Sequence, residues 1–563
     1  GTGCSGGVFD VFSEAEQADG YDAIEIVARQ PWVLNGVVGM VGLSYSGNTQ
    51  LYVGSTKPPH LAALASLSVI EDSWQMAWPG GIYNAGFTKQ WILERERQSS
   101  GGQGWTLDRI NAGDRVCEAN QNLRNQSVGF EAFVRSLQFR PKDADARDLS
   151  KLVPSIDAPV FLTGAWQDEQ TGPRFATMLK NFTGAGKKHF VLFNGHHPDG
   201  YSPMVILRWF EFLSFHVARR VPVVAELIRQ FAPLQFAEVF GVVQELEADR
   251  FGDVAEDVDA AFARYLAEPP VRIIFEAGAA GDTPGATVAR WEVTTSAFPP
   301  PGTSARRWWL GADGELLDEA PSDERWVRYL DDPEAGERCY AIIESLQDFT
   351  KPTVPVEWTR FGDEHTAAFE TAPVDQPLTI AGQGHVDLWF RPGTTDTSVQ
   401  ATLTEIRPDG TEIRIQSGWH RPQHRVEDPT RSDELRVDYT FTPEDRQELT
   451  VGEPLRFRLP FMPLAHVVRP GSRLRVALST PGRDTPLWCF ENPTVDGAAH
   501  DVGVGGAVAS SLVLPVWHDP AHVLERLAEH AEPPAPGALR GQPAREAHPI
   551  RNTIVDPSEG TSA

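Results

Sequence analysis

The sequence VVGMVGLSYSG, which spans Val37–Gly47, decides the fold of this chain. It begins as an apolar run of the length of a buried strand. It then presents Ser44 and continues into Asn48–Val53, which can form a helix. A strand that turns sharply into a helix at a serine is typical of a nucleophile elbow, whose strained corner needs small neighbours. The general pattern GxSxG places a glycine where this sequence has Ser46, so the motif by itself is incomplete.

Apolar runs and helical patterns alternate around this stretch. Buried strands are predicted at Leu61–Val69, Pro159–Ala165 and His189–Phe193. Helices are predicted at Asp19–Arg29, Pro173–Asn181 and Met204–Ala218. This alternation of apolar strands with helices is typical of an α/β protein with a parallel sheet.

Two regions depart from the alternation. Residues 71–155 begin with several tryptophans and then become polar, which indicates a helical insertion. From about Pro270 onward, short alternating runs such as Arg272–Phe275 and His385–Phe390 are separated by turns. Such a pattern is typical of an antiparallel β-sandwich or jelly roll.

These patterns predict the domain organisation. The α/β domain comprises 1–70 and 156–265, the helical insertion 71–155, and the C-terminal jelly roll 266–563. Within the last region, the proline-rich Glu532–Pro549 is predicted to be a tail that either hugs the surface or is mobile.

Composition and charge restrict the partners. A chain of 563 residues is too long for one core, which predicts two or three domains. The net charge of −27 argues against the basic surfaces that bind nucleic acids or anionic membranes. The uncharged run Val502–Trp517 is too short for a membrane-spanning helix. We therefore predict a globular protein with neither a nucleic-acid nor a membrane partner.

The four cysteines Cys4, Cys117, Cys339 and Cys489 are widely spaced. Without a CxxC pair, zinc-ribbon and thioredoxin-like sites are unsupported. A Cys4–Cys117 disulfide and buried free thiols both remain open. The compartment stays open between secreted and cytoplasmic, with the scattered cysteines and the apolar insertion favouring export.

Two patterns suggest a cofactor or a metal but lack the necessary context. Gly1–Gly6 matches GxGxxG, yet no strand precedes it and no helix opens directly after it. The adjacent His196 and His197 have no third ligand at a suitable spacing, and His420 and His424 lie four apart in a proline-containing loop rather than on one helix face. We predict no cofactor and no metal, and expect the last two histidines at the surface.

A set of three residues carries the chemistry. A serine nucleophile needs a base to take its proton and an acid to orient that base. In α/β-hydrolases these follow the chain order Ser, Asp or Glu, His, on loops after strands. Ser44, Asp168 and His197 have this order, and each follows an apolar strand within a few residues. From the residues alone, His196 competes with His197 for the role of base.

Three tryptophans are candidates for the substrate pocket. Trp74, Trp78 and Trp166 can line an acyl pocket near the serine, and core packing is the alternative account.

At this point the sequence resembles a known family. Asp19–Ile24 (DGYDAI), Gln30–Trp32 (QPW) and Gly39–Gly47 (GMVGLSYSG) resemble the cocaine esterase / X-Pro dipeptidyl-peptidase family of α/β-hydrolases. The elbow of that family reads GxSYxG, so its second glycine corresponds to Gly47, which accounts for Ser46.

The resemblance continues along nearly the whole chain. Gly164–Asp168 matches the family's GxWxD segment, and Asn194–His197 matches the strand end that carries the catalytic histidine, which places the base on His197. The late β region, including His385–Pro392 and Arg469–Leu478, resembles the family's C-terminal jelly roll.

The family resemblance implies an acyl-enzyme mechanism. Ser44 would attack the carbonyl, His197 would move the proton and Asp168 would hold the imidazole. The oxyanion would be bound by the backbone N–H of Tyr45 and by a tyrosine hydroxyl from an earlier loop.

That earlier loop would precede Gly1, so we expect this chain to be a fragment of a longer protein. The strands retained would be the last four of the family's sheet. The elbow strand would then lie at an uncovered edge, which favours association into a homo-oligomer. Since losing one oxyanion donor costs about 100- to 1000-fold in turnover, we expect the chain as written to be poorly active.

The substrate is predicted to be a small ester, amide or peptide. Family members that act on α-amino acid esters carry extra carboxylates after the triad aspartate, where this chain has only Glu169, at a different offset. Glu71 and Asp72 are the candidates for an anion that would bind the ammonium of a dipeptide. Our first choice is a general ester or amide hydrolase; the alternatives are an X-Pro dipeptidyl-peptidase and a non-catalytic binding protein that uses the jelly roll.

Overall fold

A computed structural model describes residues 1–102, 104–124, 129–336, 350–352, 358–485, 487–518 and 520–556. Within these residues the strands form two sheets, one of six strands and one of fifteen. The chain thus consists of an N-terminal α/β part and a C-terminal, largely antiparallel β part, as the sequence predicts.

The six-stranded sheet holds its strands in chain order, from first to last. Neighbouring strands are parallel except for the last pair, which is antiparallel. The strands are β1 (Val38–Leu43), β2 (Leu61–Leu67), β3 (Val160–Ala165), β4 (Lys188–Phe193), β5 (Val271–Phe275) and β6 (Trp291–Thr295). The first four confirm the predicted strands.

The end of this sheet corrects one prediction. The run Arg272–Phe275, which its alternation assigned to the antiparallel domain, lies in β5 and pairs in parallel with β4. The sheet therefore extends two strands beyond the four expected. Alternation reports only which faces of a strand are buried, whereas the long helical connection after β4 is what allows a parallel return.

The strand that leads to Ser44 lies at the edge of the sheet. In the described part of the chain, β1 pairs with β2 alone. Val41 in its middle is 48% exposed. The expected edge position of the elbow strand is confirmed.

Helices cover the sheet and fill the predicted insertion. Their bounds are α1 (Glu14–Ala28), α2 (Tyr45–Ser55), α3 (Ser73–Ala77), α4 (Phe87–Ser99), α5 (Gly104–Asn111), α6 (Arg115–Arg124), α7 (Phe130–Ser136), α8 (Leu149–Leu152), α9 (Ile206–His216), α10 (Glu226–Phe240), α11 (Val258–Leu266) and α12 (Ala521–Glu529). Helices α3 to α8 lie between β2 and β3, where the insertion is predicted. Helix α1 begins earlier than predicted because Ser13 caps it by accepting the N–H of Glu16.

The second sheet contains the remaining strands. They are β7 (Thr303–Leu310), β8 (Glu315–Leu317), β9 (Arg325–Leu330), β10 (Ala367–Thr371), β11 (Leu378–Gly382), β12 (His385–Arg391), β13 (Val399–Ile406), β14 (Thr411–His420), β15 (Leu455–Pro460), β16 (Leu464–Val468), β17 (Arg473–Ser479), β18 (Ala499–Val504), β19 (Ser511–Trp517), β20 (Ala544–Glu546) and β21 (Thr553–Val555). Its pairings are antiparallel except that of β8 with β10. A separate apolar core fills this part of the molecule.

The proline-rich C-terminal segment is held against the rest of the molecule. Strand β20, within it, pairs with β14, and the side chain of Arg540 is only 1% exposed. The structure therefore agrees with the first of the two predictions, a tail that lies against the surface.

The cysteines resolve one of the open alternatives. A disulfide joins Cys4 to Cys117 on α6, and Cys489 forms no disulfide with another described residue. Cys339 lies outside the described residues. In the described ranges, the structure has no helix that is both long and apolar enough to span a bilayer.

Two histidines expected at the surface are buried. His420 ends β14 with no exposed area, and His424 is 4% exposed. The ring of His420 stacks on Tyr439 at 4.0 Å between centroids. The loop that carries them is covered by the helical insertion, a contact that the local sequence does not encode.

A buried ion cluster joins the three regions of the chain. Glu71 lies 2.9 Å from each of three guanidiniums, those of Arg174, Arg431 and Arg436. Burial alone would raise the pKa of Glu71, but the three cations outweigh it and hold that pKa below its usual value. Arg174 belongs to the α/β part, whereas Arg431 and Arg436 belong to the β part. Their shared contact with Glu71 therefore holds the two parts together.

The neighbouring Asp72 has the opposite shift. Its carboxylate and that of Asp148 both bind Arg140, at 3.1 and 2.9 Å. Burial and the charge of Asp148 raise the pKa of Asp72 to about 6. Adjacent acids thus contribute to stability with opposite signs.

We predict that Glu71→Gln lowers the free energy of unfolding by about 3–5 kcal/mol at pH 7, because three buried cations lose their shared anion. The depressed pKa of Glu71 makes its contribution complete above about pH 4.3 and lost as the pH falls further. Guanidinium unfolding followed by tryptophan fluorescence at pH 7 and at about pH 3, which is well below the ordinary pKa of a glutamate, measures the effect.

Asp72→Asn is the matched control. The raised pKa means that ionising Asp72 costs stability as the pH rises through 6. The substitution is therefore expected to stabilise the protein more at pH 8 than at pH 5. Equal losses for the two variants at pH 7 would contradict the opposite roles of these acids.

Candidate active site

Ser44 occupies the corner between β1 and α2. Its backbone has φ +66° and ψ −126°, a conformation that costs an L residue on the order of 1–3 kcal/mol. Its N–H donates to the carbonyl of Leu67, the last residue of β2, at 2.9 Å. The serine therefore lies at the carboxyl end of the edge strand in a strained turn.

Two glycines make this turn sterically feasible. A Cβ at Gly42 would lie 2.4 Å from Ser46 Oγ and 2.8 Å from its carbonyl oxygen, and one at Gly47 would lie 2.6 Å from the carbonyl oxygen of Leu67. Ser46 itself is exposed, and its Oγ donates to Leu43 at 2.9 Å. The backbone contact that requires glycine is thus at position 47, and position 46 accepts a serine.

Asp168 and His197 are in direct contact. They follow β3 and β4, so both lie at the carboxyl edge of the sheet. Nδ1 of His197 is 2.8 Å from Oδ2 of Asp168 and 3.0 Å from Oδ1. The carboxylate also accepts from Thr171 Oγ1 at 2.7 Å and from the N–H groups of Gln170 and Thr171 at 2.8 Å. These bonds fix the aspartate before it orients the imidazole.

The two groups shift each other's pKa. Burial of the imidazole would lower the pKa of His197, but Asp168 outweighs burial and, with Glu169 and Asp199, raises that pKa above its usual value. Burial would raise the pKa of Asp168, and its bonds with His197 and Thr171 outweigh this and lower it. The pair is therefore suited to stabilise an imidazolium.

The turn that carries His197 packs against the residue before Ser44. A Cβ at Gly200 of this turn would lie 3.3 Å from Leu43 Cδ1, and Ser68, just after β2, donates its Oγ to the carbonyl of His197 at 2.8 Å. Nε2 of His197 is buried and has no hydrogen-bond partner in the described part of the chain. The structure thus brings Ser44 and His197 to one end of the sheet without a hydrogen bond between them.

His196 contacts a different carboxylate. Its Nδ1 lies 3.3 Å from Oε2 of Glu169, and the same oxygen accepts the backbone N–H of His197 at 3.0 Å. The two neighbouring histidines therefore face two consecutive acids, and Asp168 is paired with His197.

Tyr45 is the first residue of α2. An N–H at this position has no acceptor within the helix. The phenol of Tyr45 donates to Glu16 at 2.5 Å, and its ring stacks on Phe12 and Trp91 with centroids 4.9 and 5.9 Å away. These contacts fix the first turn of α2, and with it the direction of the N–H.

An apolar cavity of about 180 Å³ lies in the helical insertion. Its wall includes Phe12 and Trp91, the two rings that stack on Tyr45, together with the predicted Trp74 and Trp78. The indole N–H groups of these two tryptophans donate to backbone carbonyls at 2.8 and 3.0 Å, so the wall is fixed.

Trp166 does not lie at this cavity, which corrects its predicted role. Its side chain has no exposed area and stacks between Phe175 and Phe298, with centroids 6.2 and 5.3 Å away. Trp166, two residues before the triad candidate Asp168, turns inward from the end of the strand and packs in the core of the sheet.

Three residues around the histidine were not identified from the sequence as parts of the site. The sequence points to Glu169 only as a substrate ligand, and it does not single out Asp199 or Arg540. Asp199 lies three residues after His196, the spacing of a capping box that the structure contains. That spacing is a local signal for Asp199, whereas nothing local marks Arg540, which comes from the far end of the chain. Among the described residues, no group of three or more His, Cys, Asp or Glu side chains is placed to hold a metal ion.

Comparisons with known proteins agree with this architecture. Residues 1–199 match the model of the X-Pro dipeptidyl-peptidase (S15) family, and residues 265–496 match that of the X-Pro dipeptidyl-peptidase C-terminal non-catalytic domain. A presumptive serine esterase of Mycobacterium bovis is 24% identical over 502 residues, which cover 83% of this chain and 74% of the relative.

Two solved structures have the same fold. A CocE/NonD family hydrolase from Staphylococcus aureus aligns with a TM-score of 0.64 and 18% identity, over 91% of this chain and 77% of that one. An aminopeptidase from a marine sediment thaumarchaeon aligns with a TM-score of 0.58 and 17% identity, over 89% and 80%. The two family models cover both parts of the chain, which therefore belongs to the X-Pro dipeptidyl-peptidase (S15) family of α/β-hydrolases and has the fold of the CocE/NonD structure.

Proposed function

We propose that this hydrolase cleaves carboxylic esters through an acyl-enzyme on Ser44, with His197 as the base and Asp168 as the group that orients it. The observation that carries the proposal is the buried Asp168–His197 hydrogen bond at the end of the sheet where the strained turn presents Ser44. Since Nδ1 is committed to Asp168, Nε2 is the nitrogen left to accept the serine proton.

The steps follow from this arrangement. Ser44 Oγ attacks the carbonyl carbon while Nε2 of His197 takes its proton, and Asp168 stabilises the imidazolium that forms. The N–H of Tyr45 binds the oxyanion. The imidazolium then returns the proton to the leaving alcohol, and water repeats the sequence to release the acid.

The cavity beside Tyr45 supports a substrate with an apolar acyl group. Its wall is formed mainly by aromatic and aliphatic side chains, and of its two charged residues, Asp143 and Arg147, the arginine is paired with Asp10 at 2.8 Å. Apolar walls with few polar groups favour apolar ligands. We assign Trp74 and Trp78 to the walls of the acyl site.

The alternative of an X-Pro dipeptidyl-peptidase has less support. It needs an anion for the substrate's ammonium, and the candidate Glu71 is surrounded by three arginines while Asp72 binds Arg140. Glu169 accepts the N–H of His197. Each candidate carboxylate is thus engaged within the protein. A larger kcat/KM for a Gly-Pro anilide than for any aryl ester would nevertheless favour the peptidase.

Replacing the proposed nucleophile is the first test. Ser44→Ala is expected to abolish both labelling by a fluorophosphonate probe and hydrolysis of an aryl ester. His197→Ala is expected to lower kcat about 1000-fold or more, and His196→Ala, its matched control, far less. Labelling that persists in Ser44→Ala would refute the mechanism, and absence of labelling in the wild type would favour a non-catalytic binding protein.

The pH dependence gives an independent check. His197 must be neutral to act as a base, and its pKa is raised. We therefore expect kcat/KM to fall as the pH drops through an apparent pKa above the usual value of about 6.5. A pH–rate profile with an aryl ester measures it, and an acid limb well below 6.5 would disagree.

The turn itself can be tested by two neighbouring substitutions. Gly47→Ala places a methyl group against the carbonyl of Leu67 and is expected to lower kcat/KM about 100-fold, because small displacements of a nucleophile are costly. Ser46→Gly is expected to change it by less than about threefold, since position 46 faces solvent. Similar losses in both variants would mean that the glycine at 47 is not specifically required.

The acyl site predicts a selective loss. Ala77 lines the cavity and is 4% exposed, so Ala77→Leu would fill part of it. We expect kcat/KM for a p-nitrophenyl octanoate to fall about tenfold, with the acetate ester nearly unchanged as the internal control. Equal losses of kcat/KM for both esters would show that this cavity does not bind the acyl group.

A further inference from the structure

The C-terminal segment around Arg540 holds the turn that carries His197 in place. Asp199, in this turn, is fully buried and accepts the backbone N–H of His196 at 2.7 Å. Its two oxygens also accept from Nε and Nη2 of Arg540, both at 2.9 Å. A bidentate, buried pair of this kind fixes direction as well as distance.

Arg540 is itself fixed by several backbone contacts. Its carbonyl accepts from the side chain of Asn194, the residue after β4, at 2.9 Å, and its N–H donates to Ala277 at 2.8 Å. Nη1 donates to the carbonyls of Gly285 and Lys351, at 3.2 and 2.5 Å. Nη1, the guanidinium nitrogen that does not bind Asp199, is therefore also held by hydrogen bonds.

Two glycines allow this close approach. A Cβ at Gly195 would lie 2.5 Å from Oδ2 of Asp199, and one at Gly541 would lie 2.9 Å from the carbonyl oxygen of Gly195. The segment around Arg540 thus packs directly on the backbone of the histidine turn.

We propose that Arg540 and Asp199 form a positioning pair that sets the orientation and basicity of the His197 imidazole from the C-terminal segment. The inference rests on the proposed role of His197 as the base. Three carboxylates face this histidine, those of Asp168 and Glu169 after β3 and that of Asp199 in its own turn, and His196 is its neighbour in sequence. Arg540 neutralises the third of these carboxylates.

The pair makes the two single substitutions act in opposite directions. Without Arg540, the charge of Asp199 is uncompensated and favours the imidazolium. Without the charge of Asp199, the guanidinium remains and disfavours it. A merely structural contact would weaken the protein in both cases and leave the acid limb of the pH–rate profile where it was.

The experiment measures the pH dependence of kcat/KM for an aryl ester in wild type and four variants. Arg540→Met is expected to move the apparent pKa of the acid limb up, and Asp199→Asn to move it down, each by roughly one unit. The double variant is expected to return to the wild-type value. Arg540→Lys keeps the charge but not the bidentate geometry, so it should keep the wild-type pKa with a kcat about tenfold lower.

Arg475→Met is the matched control, since Arg475 is a buried arginine that binds Glu412 within the β part at 3.2 Å, away from the histidine turn. It is expected to lower the thermal midpoint without moving the acid limb. Shifts in the same direction for Arg540→Met and Asp199→Asn, or no shift in either, would overturn the proposal. If Arg540→Met does not fold, Asp199→Asn and Arg540→Lys still decide it. Unchanged turnover in Ser44→Ala would instead refute the proposed mechanism, so the two failures are distinguishable.

Discussion

The buried hydrogen bond between Asp168 and His197 is the interaction on which the rest of the site depends. A carboxylate removed from water is stable only when hydrogen bonds or charges compensate for its lost hydration. Here Asp168 receives two backbone N–H groups and a hydroxyl from the loop after β3, in addition to the imidazole. The chain thus keeps Asp168 ionised in a buried site, as its proposed role of stabilising an imidazolium requires.

The need to compensate buried charges also accounts for other ion pairs in the interior of the protein. Glu71 is buried among three arginines, and Asp199 binds Arg540 through both oxygens. Removing one partner from such a pair leaves an uncompensated buried charge. These clusters therefore help to specify how distant segments fit together, because a shifted segment would leave a buried charge without its partner.

Local signals in the sequence predict much of the fold and of the candidate site. The strands that end before Ser44, Asp168 and His197 are short apolar runs, and parallel strands bring their carboxyl ends to one edge. Features that depend on contacts between distant segments are harder to predict from the sequence. Alternation in Arg272–Phe275 indicates a half-buried strand but not its sheet, and a proline-rich segment gives no sign that Arg540 is buried under the histidine turn. The predicted position of Trp166 at the acyl pocket is wrong for the same reason, because the direction of its side chain depends on packing against Phe175 and Phe298.

The C-terminal part of the chain contributes structure directly to the site, although the matching family model is described as non-catalytic. Gln416 of β14 donates to the carbonyl of Trp166 at 2.8 Å, and Trp488 donates its indole N–H to the carbonyl of Glu169 at 2.8 Å. Gln167 donates in return to Ile415 at 3.1 Å. The loop that bears Asp168 is therefore held on both sides of the aspartate by the β part, as the turn of His197 is held by the C-terminal segment. Since a displacement of about 1 Å at a catalytic group is enough to slow a reaction about 100-fold, a domain that offers no reacting atom would still affect the rate of the proposed reaction through the positions of Asp168 and His197.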